Sequence, residues 1–248
     1  KLDVNKHILG GKKNLGNGWQ MLVDCLSVGR AISLPALGVG VSKMAVSTLA
    51  GYTMTRKQFG LPLHKFEGIS DKLVNMMYHT TIISEAQKYI NGELNAGEQP
   101  AILGALFKYQ ATERGRIVVN EAMDIAGGIG IQMGPSNWLA RAYMGMPIAI
   151  TVEGANVLTR TLITYGQGLM RSHPHLRNIV TGATTDDSKL FYNNLGDFIK
   201  HMFRTGFKSF IKGDLSALFA YTADFTLLLG NDLKKKEILS GYMADFLS

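Results

Sequence analysis

The stretch from Gln99 to Gly128 reads QPAILGALFKYQATERGRIVVNEAMDIAGG, and it decides the fold class of the chain. Its apolar side chains return at steps of three and four, at Leu103, Leu106, Tyr109, Ile117 and Val118. This spacing predicts a long helix from about Gln99 to Ile125, because residues three and four apart share one helix face. The glycines that follow predict a tight loop that ends the helix.

The same period continues on both sides of this stretch. A helix is predicted from Trp19 onward, broken or kinked at Pro35, with Ser33 as the cap of its second part. Further helices are predicted over Ile69–Ile83, after Pro135 and over roughly Gly154–Met170. Most of these helices are apolar on more than one side, so each must pack against several neighbours, as in a helical bundle.

Beyond Arg171 the pattern predicts one more long helix. Its apolar stripe consists of Phe191, Leu195, Phe198, Ile199, Met202, Phe203, Phe207, Phe210 and Ile211. The residues off the stripe are Asp197, Lys200, Arg204, Lys208 and Lys212. A stripe of this kind is expected to be core, while the basic flank leaves a partner or a peripheral membrane contact open.

The predicted fold class is therefore all-α, a helical bundle with a short β remnant at the N-terminus and a helical C-terminal extension. The β remnant is expected at His7–Leu9, before the turn residues Gly10 and Gly11. Residues 1–16 are expected to be the tail of another domain, 17–170 the helical domain and 171–248 the extension. The first residues show neither an initiator methionine nor a signal pattern, so we expect an internal fragment.

Composition narrows the classes of function. The 248 residues are 46% hydrophobic and 18% charged, which excludes a disordered chain. A single cysteine, Cys25, excludes an intrachain disulfide framework and favours a reducing compartment. The net charge of +7 is scattered, which disfavours nucleic-acid binding. The longest run without charge, Ile125–Ala140, holds four glycines and a proline, so no membrane span is expected.

Several motifs admit both a structural and a functional interpretation. Gly127 to Gly130 lack the spacing of a dinucleotide fingerprint, but their bare N–H groups could meet a phosphate. The stretch Arg56–Gly60 resembles a helix C-terminus with Gly60 at C′. Glu153 could favour a helix dipole, or it could be a general base after the uncharged stretch Ala142–Val152. His173 and His175 lack a third ligand of suitable spacing, so no metal is expected.

The order of these motifs resembles the C-terminal half of the acyl-CoA dehydrogenase family. The resemblance rests on Trp19–Arg30, then Arg56–Gly60, then Ile125–Gly128, then Val152–Gly154, and it covers roughly residues 8 to 170. The segment Tyr165–Pro174 and the extension after it resemble the bacterial branch that dehydrogenates medium and long fatty acyl-CoA in β-oxidation. The resemblance implies that residues 1–16 are the tail of a middle β-domain that is missing here.

The resemblance also implies an FAD enzyme and assigns roles to residues. Glu153 matches the catalytic base, and Arg30 and Gly154 match substrate-binding positions. The residues that match cofactor-binding positions are Arg56, Gln58, Phe59, Gly127, Gly128, Ala155, Asn156 and Val157, with Arg56 on the pyrophosphate of a neighbouring subunit's FAD. Asp124 departs from the family pattern, which has glutamine before the glycine pair, and Ser27 stands where several relatives have aspartate.

The function implied is removal of the α-proton of a fatty acyl-CoA by Glu153, with the β-hydrogen leaving as hydride to the flavin, to give a trans-2-enoyl-CoA. The implied partners are fatty acyl-CoA, an electron-transfer flavoprotein and further copies of the chain in a dimer or tetramer. We expect a cytoplasmic location, with contact to the inner membrane left open. The alternative is a non-catalytic helical assembly module in which the bundle makes only subunit contacts.

Overall fold

The computed structural model describes residues 3–98 and 100–248 and confirms the all-α fold class. The chain divides into two compact units, Lys1–Asn156 and Val157–Ser248. The sequence places its second boundary at residue 170 instead. The difference arises because Arg160 and Tyr165 bond to residues near the C-terminus, namely Asp245 and Thr226, and so belong to the second unit.

The first unit is built from helices that are longer than the sequence predicts. Its helices are α1 (Val4–His7), α2 (Gly18–Thr55), α3 (Glu67–Asn95), α4 (Ala101–Ala126), α5 (Gly128–Ile131) and α6 (Leu139–Thr151), with 3₁₀ turns at Lys12–Asn14 and Leu63–Lys65. Two short antiparallel strands, β1 (Lys57–Gln58) and β2 (Leu61–Pro62), form a hairpin after α2, in which Lys57 pairs with Pro62 and Gln58 with Leu61.

The helix α2 runs through Pro35 without a break, so of the predicted break or kink the break is wrong, and so is the cap at Ser33. Proline lacks an N–H and removes one intrahelical hydrogen bond. Here Pro35 is itself buried, and Leu34 and Val39 on either side of it are buried too, so tertiary packing holds the helix together across it. The predicted helix start at Gln99 lies outside the described residues.

The core of the first unit lies between α2, α3, α4 and α6. Buried apolar side chains from all four helices meet there, among them Leu49, Met76, Val118 and Met146. Glycines let α2 and α4 cross closely: a Cβ on Gly38 would lie 2.6 Å from the Ala111 carbonyl oxygen. Gly38 is therefore a helix-packing residue, where any larger side chain would clash.

Within α2, the segment Asp24–Thr55 is long and apolar enough to cross a membrane, by length and composition alone. The expectation of no such segment considered only uncharged runs, and this helix carries Arg30 and Lys43. The core helix of a soluble protein passes the same test. Several of its apolar side chains, including Leu34 and Leu49, are buried against other helices of the unit.

The predicted strand at His7–Leu9 is not formed. Val4–His7 make one helical turn, with the N–H groups of Lys6 and His7 donating to the Asp3 carbonyl at 3.0 and 3.2 Å. A strand satisfies its backbone groups only beside a partner strand. The described residues supply no strand to these positions, so the backbone bonds locally instead.

The second unit is a set of shorter helices around a π-helix, Thr159–Gln167. Its helices are α7 (Asn156–Leu158, which joins the two units), α8 (Gly168–Ser172), α9 (Leu176–Thr184), α10 (Ser188–Lys212), α11 (Leu215–Leu227) and α12 (Glu237–Phe246), with a 3₁₀ turn at Gly230–Lys235. Its core gathers Tyr165, Ala223, Met243 and Ala244, and the Tyr165 hydroxyl lies 2.6 Å from the Thr226 hydroxyl.

The long helix predicted beyond Arg171 is confirmed as α10, but its aromatic stripe is not all core. Thr205, Gly206 and Ser209 are the buried residues of its C-terminal half. Phe203, Phe207 and Phe210 are 72%, 58% and 70% exposed. The small residues face inward because Tyr221 of α11 packs so closely on Gly206 that a Cβ there would lie 2.8 Å from its ring.

Candidate functional site

Glu153 lies on a sharp turn between α6 and α7. Its φ is +55°, and the following Gly154 has φ of +93°. Such values are uncommon for a residue other than glycine, and strained backbone of this kind persists only where the surroundings hold it. The turn therefore depends on contacts from elsewhere in the unit.

Arg30 of α2 supplies one of these contacts. Its guanidinium Nε donates to the Glu153 carbonyl oxygen at 2.8 Å, across 123 residues of sequence. The Glu153 carboxylate lies beside α2, because a Cβ on Gly29 would be 4.0 Å from its Oε1. Its Oε2 is buried and accepts no hydrogen bond from the described residues. A buried carboxylate oxygen without a donor is costly, which marks Glu153 as a functional candidate.

Lys108 of α4 holds the turn from the other side. It is fully buried, and its ammonium donates to the Gly154 carbonyl at 2.8 Å and to Asn156 Oδ1 at 2.6 Å. The Asn156 amide in turn donates to Thr112 at 2.9 Å and to Glu113 at 2.8 Å. Three side chains of one α4 face thus anchor the segment Gly154–Asn156.

The electrostatics of Lys108 link it to the same cluster. The pKa of Lys108 is lowered from 10.5 to about 8, chiefly by burial and then by the Arg30 charge, while Glu153 and Glu113 act in the opposite direction. No role was predicted for Lys108 from the sequence. The available signal was a charged side chain in phase with Gly104, Ala111 and Gly115, on the face of α4 that is buried.

The hairpin after α2 carries the next group of predicted site residues. Helix α2 ends at Thr55 with Arg56 as its C-cap, and Phe59 and Gly60 form the turn of the hairpin with φ of +50° and +80°. The prediction of Gly60 as the C′ residue is wrong, because C′ is Lys57 and Gly60 is needed for the two-residue turn. Phe59 is 92% exposed, and no carboxylate of the described residues pairs with Arg56.

The glycine loop follows α4 as predicted. Gly127 caps the helix with φ of +58°, which favours glycine. A Cβ at Gly127 or at Gly128 would meet nothing within 4 Å, so the backbone there is open to a ligand. Asp124, the departure from the family pattern, bonds to Lys72 at 2.9 Å.

The structure thus brings Glu153, Gly154, Arg30 and Asn156 together, with Lys108 added. Ala155 and Val157 are exposed. The Asn156 side chain, assigned to the cofactor from the resemblance, is buried and donates and accepts within the α4 network, so its backbone is the part left for a ligand. Arg56, Gln58 and Phe59 lie on the hairpin, and Gly127 and Gly128 on the loop after α4, as separate groups.

The second unit contains a polar cluster that the sequence did not predict. His173, His201 and Asp224 place one ligand atom each within 4.8 Å of one another. However, His173 Nδ1 accepts the N–H groups of His175 and Leu176, so the ring proton lies on Nε2, which is 3.0 Å from Asp224. A metal-binding imidazole normally donates from its second nitrogen. The cluster is better explained as a hydrogen-bonded cap of α9.

The chain matches the family described as acyl-CoA dehydrogenase, C-terminal domain, over residues 16–167, and it belongs to the acyl-CoA dehydrogenase family. It is 30% identical over 152 residues to a 3-(aryl)acrylate reductase of Clostridium sporogenes, covering 60% of this chain and 39% of that protein. It is 26% identical over 167 residues to the mitochondrial very long-chain specific acyl-CoA dehydrogenase of Mus musculus, covering 67% and 24%.

Among solved structures, the chain is similar to butyryl-CoA dehydrogenase from Megasphaera elsdenii, with a TM-score of 0.55 and 28% identity over 63% of this chain and 39% of that one. The chain therefore spans between 24% and 39% of the length of these relatives. The matched residues end at 167, so most of the second unit lies outside the family match.

FAD is the cofactor that membership of this family implies. The residues present fit a phosphate-bearing group: Arg56 is a cation without a carboxylate partner in the described part of the chain, and the Gly127–Gly128 backbone is unobstructed. Guanidinium groups and bare backbone N–H groups are common ligands of phosphate. The unsatisfied Oε2 atom of Glu153 fits a bound molecule that can donate a proton to it.

Proposed function

We propose that this chain is the C-terminal helical part of a flavoenzyme that converts a fatty acyl-CoA to a trans-2-enoyl-CoA in β-oxidation. The observation that carries the proposal is the buried, unsatisfied carboxylate oxygen of Glu153 on a turn held by Arg30 and Lys108. Membership of the acyl-CoA dehydrogenase family supports the reaction class. The chain length of the substrate is left open.

In this mechanism the Glu153 carboxylate takes the α-proton of the thioester, so a C–H bond breaks and an O–H bond forms at Glu153. A positioned general base contributes roughly 10² to 10⁴ in rate. FAD, when bound, supplies the acceptor for the β-hydrogen, which leaves with its electron pair. The backbone N–H groups of the Glu153–Gly154 turn are proposed to bind the thioester oxygen, where negative charge develops.

Arg56, Gln58 and Phe59 on the hairpin and Gly127 and Gly128 on the loop are proposed to hold FAD, with Ala155, Asn156 and Val157 beside it through exposed atoms and backbone. Arg56 is proposed to serve a neighbouring subunit, which requires a homodimer or homotetramer. The 92% exposure of the Phe59 ring supports a further surface packing on this hairpin. An electron-transfer flavoprotein is the proposed acceptor of the electrons.

Two alternatives differ from this proposal in kind. A relative named 3-(aryl)acrylate reductase acts, by its name, on a double bond, and Glu153 as an acid could return a proton in that direction. A non-catalytic assembly module would need neither FAD nor the Glu153 carboxylate. The orphaned carboxylate oxygen favours a catalytic role over assembly alone, because an assembly module would have no reason to keep it.

The test is performed on the complete protein, purified and examined for a flavin absorption spectrum. A saturated fatty acyl-CoA is then added without oxygen, and the flavin absorbance and the enoyl-CoA product are followed. The proposal predicts bound flavin that bleaches with formation of enoyl-CoA. A colourless protein would favour the assembly module, and flavin that responds only to an enoyl-CoA with added reductant would favour the reductase.

We also propose that α10 contacts an anionic membrane surface. The support is a row of exposed aromatic rings, Phe203, Phe207 and Phe210, beside a row of cations, Arg204, Lys208 and Lys212. Apolar side chains in line with basic ones are typical of helices that lie in the interface of anionic bilayers. The occupant proposed is therefore lipid rather than another protein.

Sedimentation with vesicles tests this contact. The chain should sediment with vesicles that contain phosphatidylglycerol and much less with vesicles of phosphatidylcholine. Replacing Phe203 and Phe210 by serine should abolish sedimentation, while the matched change Tyr242→Ser, at a ring 67% exposed on α12, should not. Equal sedimentation of both variants would contradict the assignment of the contact to α10.

A further inference from the structure

Lys108 is buried without any exposed surface, which is rare for lysine because an ammonium group loses its hydration when it is buried. Both of its hydrogen bonds, at 2.8 and 2.6 Å, go to Gly154 and Asn156. Gly154 directly follows Glu153 in the chain, and Asn156 lies three residues after it. A lysine that only filled the core would not be expected to aim its charge at one strained turn.

The groups that face Lys108 come from three elements. Arg30 reaches it from α2, Glu113 from its own helix α4 and Glu153 from the turn. Its pKa of about 8 keeps the ammonium charged near neutral pH, so its hydrogen bonds to the turn are charge-assisted there. The cation also lies within electrostatic reach of the Glu153 carboxylate, which raises the pKa of Lys108.

We propose that Lys108 is a positioning residue for the base: its ammonium fixes the Glu153–Gly154 turn from the α4 side and so sets the place of the Glu153 carboxylate. Arg30 holds the same turn through the Glu153 carbonyl, from the α2 side. The inference rests on the proposed function, because it takes Glu153 as the base. Without Lys108, the Gly154 carbonyl and the buried Asn156 Oδ1 lose their cationic donor, and the strained turn loses the anchor that this lysine provides.

The test compares Lys108→Met with the parent in the complete protein. Methionine keeps the length of the side chain but has no charge and no donor. The matched control is Thr80→Val, which removes a buried hydroxyl of α3 that donates to the Met76 carbonyl and leaves both bonds of Lys108 in place. Lys108→Gln, which is neutral but can still donate, is the second variant in case the methionine variant does not fold.

Two measurements are made on each variant. The first is amide hydrogen exchange of the peptide that covers residues 150–157, without ligand. The second is exchange of the α-proton of a fatty acyl-CoA with D₂O, together with the dissociation constant of that acyl-CoA. Lys108→Met should speed amide exchange of this peptide at least tenfold and slow α-proton exchange at least tenfold, with acyl-CoA affinity changed less than threefold. Thr80→Val should stay within threefold of the parent in all three, and Lys108→Gln should be intermediate.

The outcomes separate this inference from the proposed function. If the parent catalyses α-proton exchange and Lys108→Met does so within twofold of it, Lys108 does not position the base and the inference is overturned, while the proposed function stands. If affinity falls as much as the exchange rate, the role is general folding of the site and the inference is overturned as well. If the parent itself shows no α-proton exchange, the proposed function fails, and the inference fails with it.

Discussion

At the scale of single residues, the centre of this molecule is a balance between strain and anchoring at Glu153. A glutamate with φ of +55° costs on the order of 1–3 kcal/mol, which other contacts must offset. The observed contacts are the Arg30 bond to its carbonyl and the Lys108 bonds just after it. In the carboxylate itself, Oε2 is left without a donor among the described residues.

The depressed pKa of Lys108 predicts a pH dependence of stability. Its pKa is about 8 in the folded chain and 10.5 in the unfolded one, so between these values the unfolded state binds the proton that the folded state has lost. The free energy of unfolding should therefore rise with pH above about 8, relative to Lys108→Met, by up to about 1.4 kcal/mol per pH unit. Urea unfolding of both proteins at several pH values between 7 and 10 measures the difference.

The sign of this effect is specific to a lysine that is buried with its charge. A lysine stabilised by an ion pair would have a raised pKa, as Lys72 does through its bond to Glu121, and its contribution would be lost rather than gained at high pH. Lys72→Met is therefore the control, and its difference from the parent should not rise above pH 8. A Lys108 difference that stays constant from pH 7 to 10 would contradict the burial of a charged group.

At the scale of elements, helix periodicity was sufficient to locate the long helices. It was insufficient to predict which face of each helix is buried. The spacing of Leu103 to Val118 located α4, because apolar residues that recur with a period of 3.6 are typical of a helix and not of a strand. The break at Pro35 was wrongly predicted, because the packing that bridges it comes from residues far away in the sequence. The inward face of α10 was missed for the same reason: Gly206 faces inward only because Tyr221 packs on it.

The glycine loop after α4 gives a prediction that separates ligand binding from folding. Gly128→Val introduces a Cβ that would meet no atom of the chain within 4 Å, at a position without a positive φ. Thermal stability without FAD should therefore change little, as for other surface substitutions. FAD retention after dialysis should fall at least tenfold, because the side chain would occupy the space that the cofactor phosphate needs.

The matched control for the loop is Gly134→Val, at another open glycine a few residues further on. It should leave FAD retention unchanged. If Gly128→Val retains FAD like the control, the loop only ends the helix. If it lowers stability equally with and without FAD, the loop has a structural role alone.

At the scale of the whole molecule, the order of motifs along the chain predicted the family, whereas the chemistry of the site depended on contacts across it. The pairing of Arg30 with Glu153 spans 123 residues, and that of Lys108 with Asn156 spans 48. No local pattern encodes such distances. The resemblance supplied Arg30 and Glu153 together, but Lys108, for which it assigned no role, appeared only when α4 was folded against the turn.

The polar cluster of the second unit also depends on contacts between residues that are far apart in the sequence. His173 and His175 were visible as a pair, but Asp224 and His201 reach them only through the folding of α10 and α11. The prediction that no third ligand is available was therefore wrong, because the folded chain brings one within reach. The hydrogen-bond pattern around His173 nevertheless argues for a cap rather than a metal site, which the spacing alone could not decide.

The proposed role of Glu153 as the base is tested by the rate of flavin bleaching by a fatty acyl-CoA in Glu153→Gln of the complete protein, mixed without oxygen. Glutamine keeps the size of the side chain but cannot take the proton. The matched control is Glu113→Gln, a change of the same kind at a carboxylate that accepts from Asn156.

Loss of a base corresponds to about 3–5 kcal/mol of barrier. Glu153→Gln should therefore keep near-normal FAD content and acyl-CoA affinity and bleach at least a hundredfold more slowly, while Glu113→Gln bleaches within tenfold of the parent. Bleaching of Glu153→Gln within a few-fold of the parent would contradict the account and assign the base to another carboxylate.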